Sequence, residues 1–79
     1  MFYTYILENQ KNALYIGQTG NIEQRLEWHN SGKSFYTKNK GPWKLVYKKD
    51  FVTRAEAVNF ERCLKSLKSS KYIRENIIH

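Results

Sequence analysis

Apolar and polar positions divide the chain into six stretches. Residues 2–8 (FYTYILE) and 13–17 (ALYIG) are rich in aromatic and β-branched side chains, which suit a pleated strand. The polar NQKN between them can turn, so the two predict a β-hairpin. A three-residue loop would set Tyr5 directly opposite Tyr15, with both rings on one face. A four-residue loop would put them on opposite faces, and the expectation follows the shorter loop.

Residues 20–32 (GNIEQRLEWHNSG) predict a helix that begins near Asn21 or Gly20 and ends at Gly32. At helical spacing Ile22, Arg25, Leu26 and His29 share one side. Residues 33–42 form a polar, basic loop, and WKLVYKKDF (43–51) predicts a third strand, preceded by the single proline. TRAE (53–56) is a capping box, with Thr53 as the cap and Glu56 answering it. The helix it opens carries Ala57, Phe60, Leu64 and Leu67 as its apolar stripe, and residues 69–78 predict a last short helix packed by Tyr72, Ile73 and Ile77. The order ββαβαα predicts an α+β fold: one domain over residues 1–79 with a small antiparallel sheet.

Composition narrows the function. Six tyrosines, four phenylalanines and two tryptophans can build a modest, largely aromatic core. One cysteine, Cys63, allows no internal disulfide and no cysteine metal cluster, which fits a reducing cytosol and a cytoplasmic location. MFYTYIL lacks a basic flank and breaks at Glu8, so it reads as a strand rather than a signal peptide. No apolar run approaches the roughly 20 residues of a membrane span. The net charge is +7 and is unevenly placed: residues 1–32 carry −1 and residues 33–79 carry +8. A basic half on so small a domain is the footprint of a polyanionic partner, although a lysine-rich solvated surface has the same composition.

Several side chains make little sense alone. Arg25 and His29 are helical neighbours on the apolar side, where an unpaired charge is expensive; a phosphate in a cleft beside the sheet would satisfy both. Their ordinary explanations are an arginine that snorkels to a surface glutamate and a polar residue near a helix end. Glu61 lies about 40° from Ala57 around the helix, at the stripe's border. It is spaced either to pair with Lys65 or to hold one divalent cation, since Mg²⁺ is often bound through one or two carboxylates. A tyrosine serves as general base only if its pKa falls, and a nearby metal ion and an arginine would favour the phenolate. Tyr5, Tyr15, Arg25 and Glu61 are therefore chemically coherent as a set. Two basic stretches suit nucleic acid. The loop interleaves Lys33, Lys38, Lys40 and Lys44 with Phe35, Tyr36 and Trp43, and Arg62, Lys65, Lys68, Lys71 and Arg74 recur every third position. A solvated basic face explains the second run equally well. A Gly-rich phosphate loop, a His/Cys cluster and a Ser/His/Asp set are all missing from the sequence.

Tyr15-Ile16-Gly17, Tyr3-Thr4-Tyr5, NIEQRLEWHNSG, GPWKLVY and AEAVNFERCLKSLK, in order from residue 2 to about residue 68, resemble the GIY-YIG nuclease superfamily, particularly its small single-domain members. More distantly, the chain is similar to the incision subunit of bacterial nucleotide excision repair and to structure-specific endonuclease subunits of eukaryotes. The resemblance implies a three-stranded antiparallel sheet flanked by helices and one-metal phosphodiester hydrolysis. In that scheme Tyr5 or Tyr15 is the general base or orients the attacking water, and Arg25 binds the scissile phosphate. His29 supports a tyrosine or a phosphate oxygen, and Glu61 holds one Mg²⁺ or Mn²⁺. Lys33, Tyr36, Lys38, Lys40, Lys44, Lys65 and Lys68 would grip the nucleic acid. Tyr3 and Thr4 depart from the usual Gly and Ile, and Gln18 stands where some relatives carry lysine. The expected function is a metal-dependent DNA endonuclease, with RNA left open and selection for branched or damaged DNA as the finer expectation. The rival is a non-catalytic nucleic-acid-binding module that kept the fold.

Overall fold

The computed structural model describes residues 1–32, 40–67 and 69–78. Strands β1 (Phe2–Glu8) and β2 (Leu14–Thr19) form the hairpin, and helix α1 (Ile22–Asn30) follows. Strand β3 (Lys44–Phe51) precedes helix α2 (Arg54–Ser66) and the short α3 (Ser70–Ile73), which runs on into a π-helical turn, Arg74–Ile78. The three strands pair antiparallel in the order β2-β1-β3, so β1 is central. This is the expected α+β architecture with ββαβαα order.

The hairpin closes through Gln10, Lys11 and Asn12, with Asn9 N–H donating to the Ala13 carbonyl and Asn12 N–H to the Asn9 carbonyl. Asn12 takes the left-handed conformation (φ 65°) that such a connection requires at its last position. Tyr5 pairs with Gly17 and Tyr15 with Leu7, two residues away from the expected opposition. An even shift preserves facing, so both tyrosines still lie on one side of the sheet.

Alternation along β1 assigns its two faces. Tyr5 and Leu7 pack with Trp43, Tyr15, Leu45 and the α1 residues Ile22 and Leu26. Ile6 packs on the other face with Leu64 and Ile73, and Phe60, Leu67 and Ile77 close around them. Thr4, fully buried on that face, donates its hydroxyl to the Ala57 carbonyl at 2.7 Å and so ties β1 to α2. The sheet therefore lies between α1 and α2 with α3. Strand β3 carries an irregularity: Leu45 pairs with Leu7 and Tyr47 with Ile6, leaving Val46 as the extra residue. The bulge lets Val46 and Tyr47 both pack on the α2 side.

Helix starts follow their signals. Asn21 Oδ1 accepts from Gln24 N–H to cap α1, and the reciprocal Thr53–Glu56 box opens α2. Gly32 at φ 81° terminates α1. One packing expectation fails. Tyr72 is 49% exposed, while Ile73 beside it is buried, because so short a helix has only one inward position per turn.

Candidate active site

The side of the sheet that faces α1 brings four of the five expected residues together. Tyr5 projects from central β1, Tyr15 from β2, and Arg25 and His29 from α1. Tyr5 Oη lies 2.9 Å from His29 Nε2 in a buried hydrogen bond. The Tyr15 ring centroid is 4.7 Å from that of His29 and 6.4 Å from that of Tyr5. Gly17 makes this close packing possible. A Cβ there would stand 2.6 Å from Tyr5 Oη and 3.2 Å from the Tyr15 ring, so the phenol lies directly over the glycine backbone.

The electrostatics follow from burial. The Tyr5 hydroxyl is pushed far above the ordinary tyrosine range, first by burial and then by Tyr15 and Glu61; Arg25 opposes this by charge and hydrogen bonding without overcoming it. The expected lowering of the tyrosine pKa calls for a metal ion together with the arginine, and Arg25 by itself does not supply it at Tyr5. The pKa of His29 is lowered by burial and by Arg25, so the imidazole is neutral at pH 7. A neutral ring can accept a hydrogen bond at Nε2 from the Tyr5 phenol, given the tautomer with its proton on Nδ1.

Arg25 is half-buried, its guanidinium 4.7 Å over the Trp28 ring, and its Nε is buried without a hydrogen-bond partner. It is thus poised for an anion, and no surface glutamate takes it among the described residues. Arg25 and Trp28 line a cleft of about 470 Å³ together with Thr19, Gln24, Glu27 and Ser31.

Glu61 sits on α2, at a distance in sequence but near enough in space that its charge acts on the Tyr5 phenol. Its side chain is 19% exposed, and Oε2 accepts from Lys65 Nζ at 2.7 Å. The helical pair is present, so Lys65 stands beside the carboxylate with its side chain still exposed. One hard carboxylate that keeps a second oxygen fits a Mg²⁺ or Mn²⁺ ion whose other ligands are water and phosphate. No cluster of three or more His, Cys, Asp or Glu residues occurs among the described residues.

The basic surface divides. Lys40 and Lys44 are exposed. Lys33, Tyr36, Lys38 and Lys68, with Phe35, lie outside the described residues. Trp43 is 5% exposed and belongs to the core beside Tyr15, so it offers no stacking surface. Arg74 bridges Glu8 and the Asn12 carbonyl, fastening the C-terminal turn to the hairpin, and is withdrawn from the basic run. Sequence reasoning missed Trp28, although its place three residues after Arg25 was the available signal. It also missed the asparagines that hold the loop's end. Asn30 both donates to the Trp43 carbonyl and accepts its N–H, while Asn9 Nδ2 donates to the Lys40 carbonyl.

No helix among the described residues is long and apolar enough to cross a membrane. Comparison with known proteins agrees with the geometry. The model of the GIY-YIG catalytic domain matches residues 1–74. A UPF0213 protein of Oceanobacillus iheyensis is 41% identical over 66 residues, covering 82% of this chain and 77% of its own length. One of Clostridium perfringens is 43% identical over 68 residues, covering 85% and 73%. The solution structure of a UPF0213 protein from Bacillus halodurans superposes with a TM-score of 0.57 at 36% identity, over 94% of this chain and 81% of that one. With the Tyr3–Tyr5 and Tyr15–Gly17 strands side by side and the domain model spanning nearly the whole sequence, the chain belongs to the GIY-YIG family.

Proposed function

We propose that this protein is a metal-dependent endonuclease that hydrolyses phosphodiester bonds in DNA. The observation that carries this reading is the buried Tyr5–His29 hydrogen bond beside an arginine whose Nε lacks a partner. Arg25 binds the scissile phosphate and offsets the charge that develops on it. Because burial keeps Tyr5 protonated, it acts as base by relay. Its oxygen takes a proton from the attacking water as its own proton passes to neutral His29 Nε2. Water oxygen bonds to phosphorus, the bond to the departing alkoxide breaks, and that alkoxide is protonated by solvent. Tyr15 packs against His29 and holds the ring in place. Glu61 would hold the Mg²⁺ or Mn²⁺, which when bound supplies positive charge to the phosphate oxygens.

The Glu61–Lys65 ion pair favours a second reading, a nucleic-acid-binding module without catalysis, because a committed carboxylate binds a cation less readily. Nicked, flapped and single-stranded DNA incubated with Mg²⁺ or Mn²⁺ separates the two. The nuclease reading expects cleavage that Glu61→Ala abolishes while DNA affinity stays nearly intact. Cleavage that persists in Glu61→Ala, or none on any substrate, overturns it. A large loss of affinity in a folded Glu61→Ala protein removes the metal role alone.

A further inference from the structure

We infer that the cleft along α1 is a nucleobase subsite, in which Trp28 stacks an unpaired base next to the phosphate held by Arg25. The inference rests on the nucleic-acid reading above but not on cleavage. Among the described residues, its wall combines the Trp28 ring with the neutral polar groups of Thr19, Gln24 and Ser31. Trp28 lines the cleft and is only half-buried, with the Arg25 guanidinium over its ring, whereas Trp43 is enclosed in the core. The guanidinium over the Trp28 ring places the phosphate-binding group within one nucleotide's reach of the stacking group.

The charge pattern selects a base over a second phosphate. Glu27, exposed on the same wall, would repel another phosphate but can accept from an exocyclic amino group. Stacking on an aromatic ring tolerates any base, since each presents a π-face, yet it requires that the base leave the duplex stack. The cleft therefore favours single-stranded, flapped or gapped nucleic acid over continuous duplex. Trp28 is a binding residue in this scheme and takes no part in proton transfer.

The test is equilibrium binding of fluorescently labelled single-stranded and fully paired DNA, without divalent metal so that no cleavage intervenes. Trp28→Ala should weaken single-strand binding roughly 5- to 150-fold, the range for loss of one stacked base, while duplex binding changes little. Trp28→Phe should restore most of the loss, and far-ultraviolet circular dichroism should confirm that both variants are folded, since Trp28 itself packs on His29 with ring centroids 5.1 Å apart. Placing an abasic site in the strand should make parent and Trp28→Ala bind alike. Equal affinity of Trp28→Ala and parent for the intact strand overturns the subsite, as does an equal loss on duplex and single strand. A protein that shows the Trp28 effect and cuts nothing keeps the subsite and loses the nuclease; one that cuts without a Trp28 effect does the reverse.

Discussion

Gly17 is the residue whose side chain matters by its absence. It pairs with Tyr5 across the hairpin, and the Tyr5 ring occupies the space a methyl group would fill, with Oη at 2.6 Å and Cζ at 2.8 Å from that position. Tyr5 is 3% exposed, so the ring has no open side to which it can move. Gly17→Ala should therefore break the bond to His29 and cost about 1–3 kcal/mol through overpacking. For a domain of this size each kcal/mol lowers the melting temperature by about 4–8 °C. Thermal unfolding and cleavage rate, measured together, check this; a variant that melts and cuts like the parent would show that the ring has room. The third letter of the Tyr15-Ile16-Gly17 motif is in this sense a packing requirement of the first motif's tyrosine.

At the scale of elements, Asn30 at the end of α1 ties that helix to the residue just before β3. Its side chain accepts the Trp43 N–H at 2.7 Å and donates to the Trp43 carbonyl at 3.0 Å. Asn30→Ala leaves two backbone groups to find other partners, a loss of about 1–3 kcal/mol. Trypsin should cut after Lys40 faster in that variant than in the parent, and an unchanged digestion rate would deny Asn30 its anchoring role. Elements of this kind mark the limit of sequence reading. The strands, the capping box and the stripe of Ala57 and Leu64 were legible because each is a local periodic signal. The facing of Tyr5 and Tyr15 was legible because it depends only on parity. The two-residue shift in their pairing was not, since it depends on which asparagine of NQKN turns left-handed. Trp43 looked like a loop aromatic but is held inward by Asn30. Arg74 looked like one of a basic series until the fold brought Glu8 to it across the whole length of the chain.

Across the whole molecule, the acidic-to-basic asymmetry sets how a polyanion is held. Lys40 and Lys44 are exposed on either side of Trp43 in the sequence, and the Trp43 ring packs against Tyr15. Replacing both with alanine should flatten the slope of log affinity against log salt by up to about two units on duplex DNA, equally for all sequences. A slope equal to the parent's would assign these lysines to the solvated surface. The fold also has a single axis on which everything turns. Strand β1 lies in the middle of the sheet, with Thr4 and Ile6 holding α2 and α3 and Tyr5 and Leu7 facing α1. Chemistry and cohesion are thus written on alternate letters of one short word. The division is incomplete at one letter, because Tyr5 is buried in the α1-side core as well as bonded to His29: substitution at positions 4 and 6 acts on cohesion, and substitution at position 5 acts on cohesion and, on the nuclease reading, on chemistry too. An inserted or deleted letter between Tyr5 and the turn would carry Thr4 and Tyr5 to each other's faces at once, so the count of residues from position 5 to the hairpin constrains β1 more tightly than its spelling does.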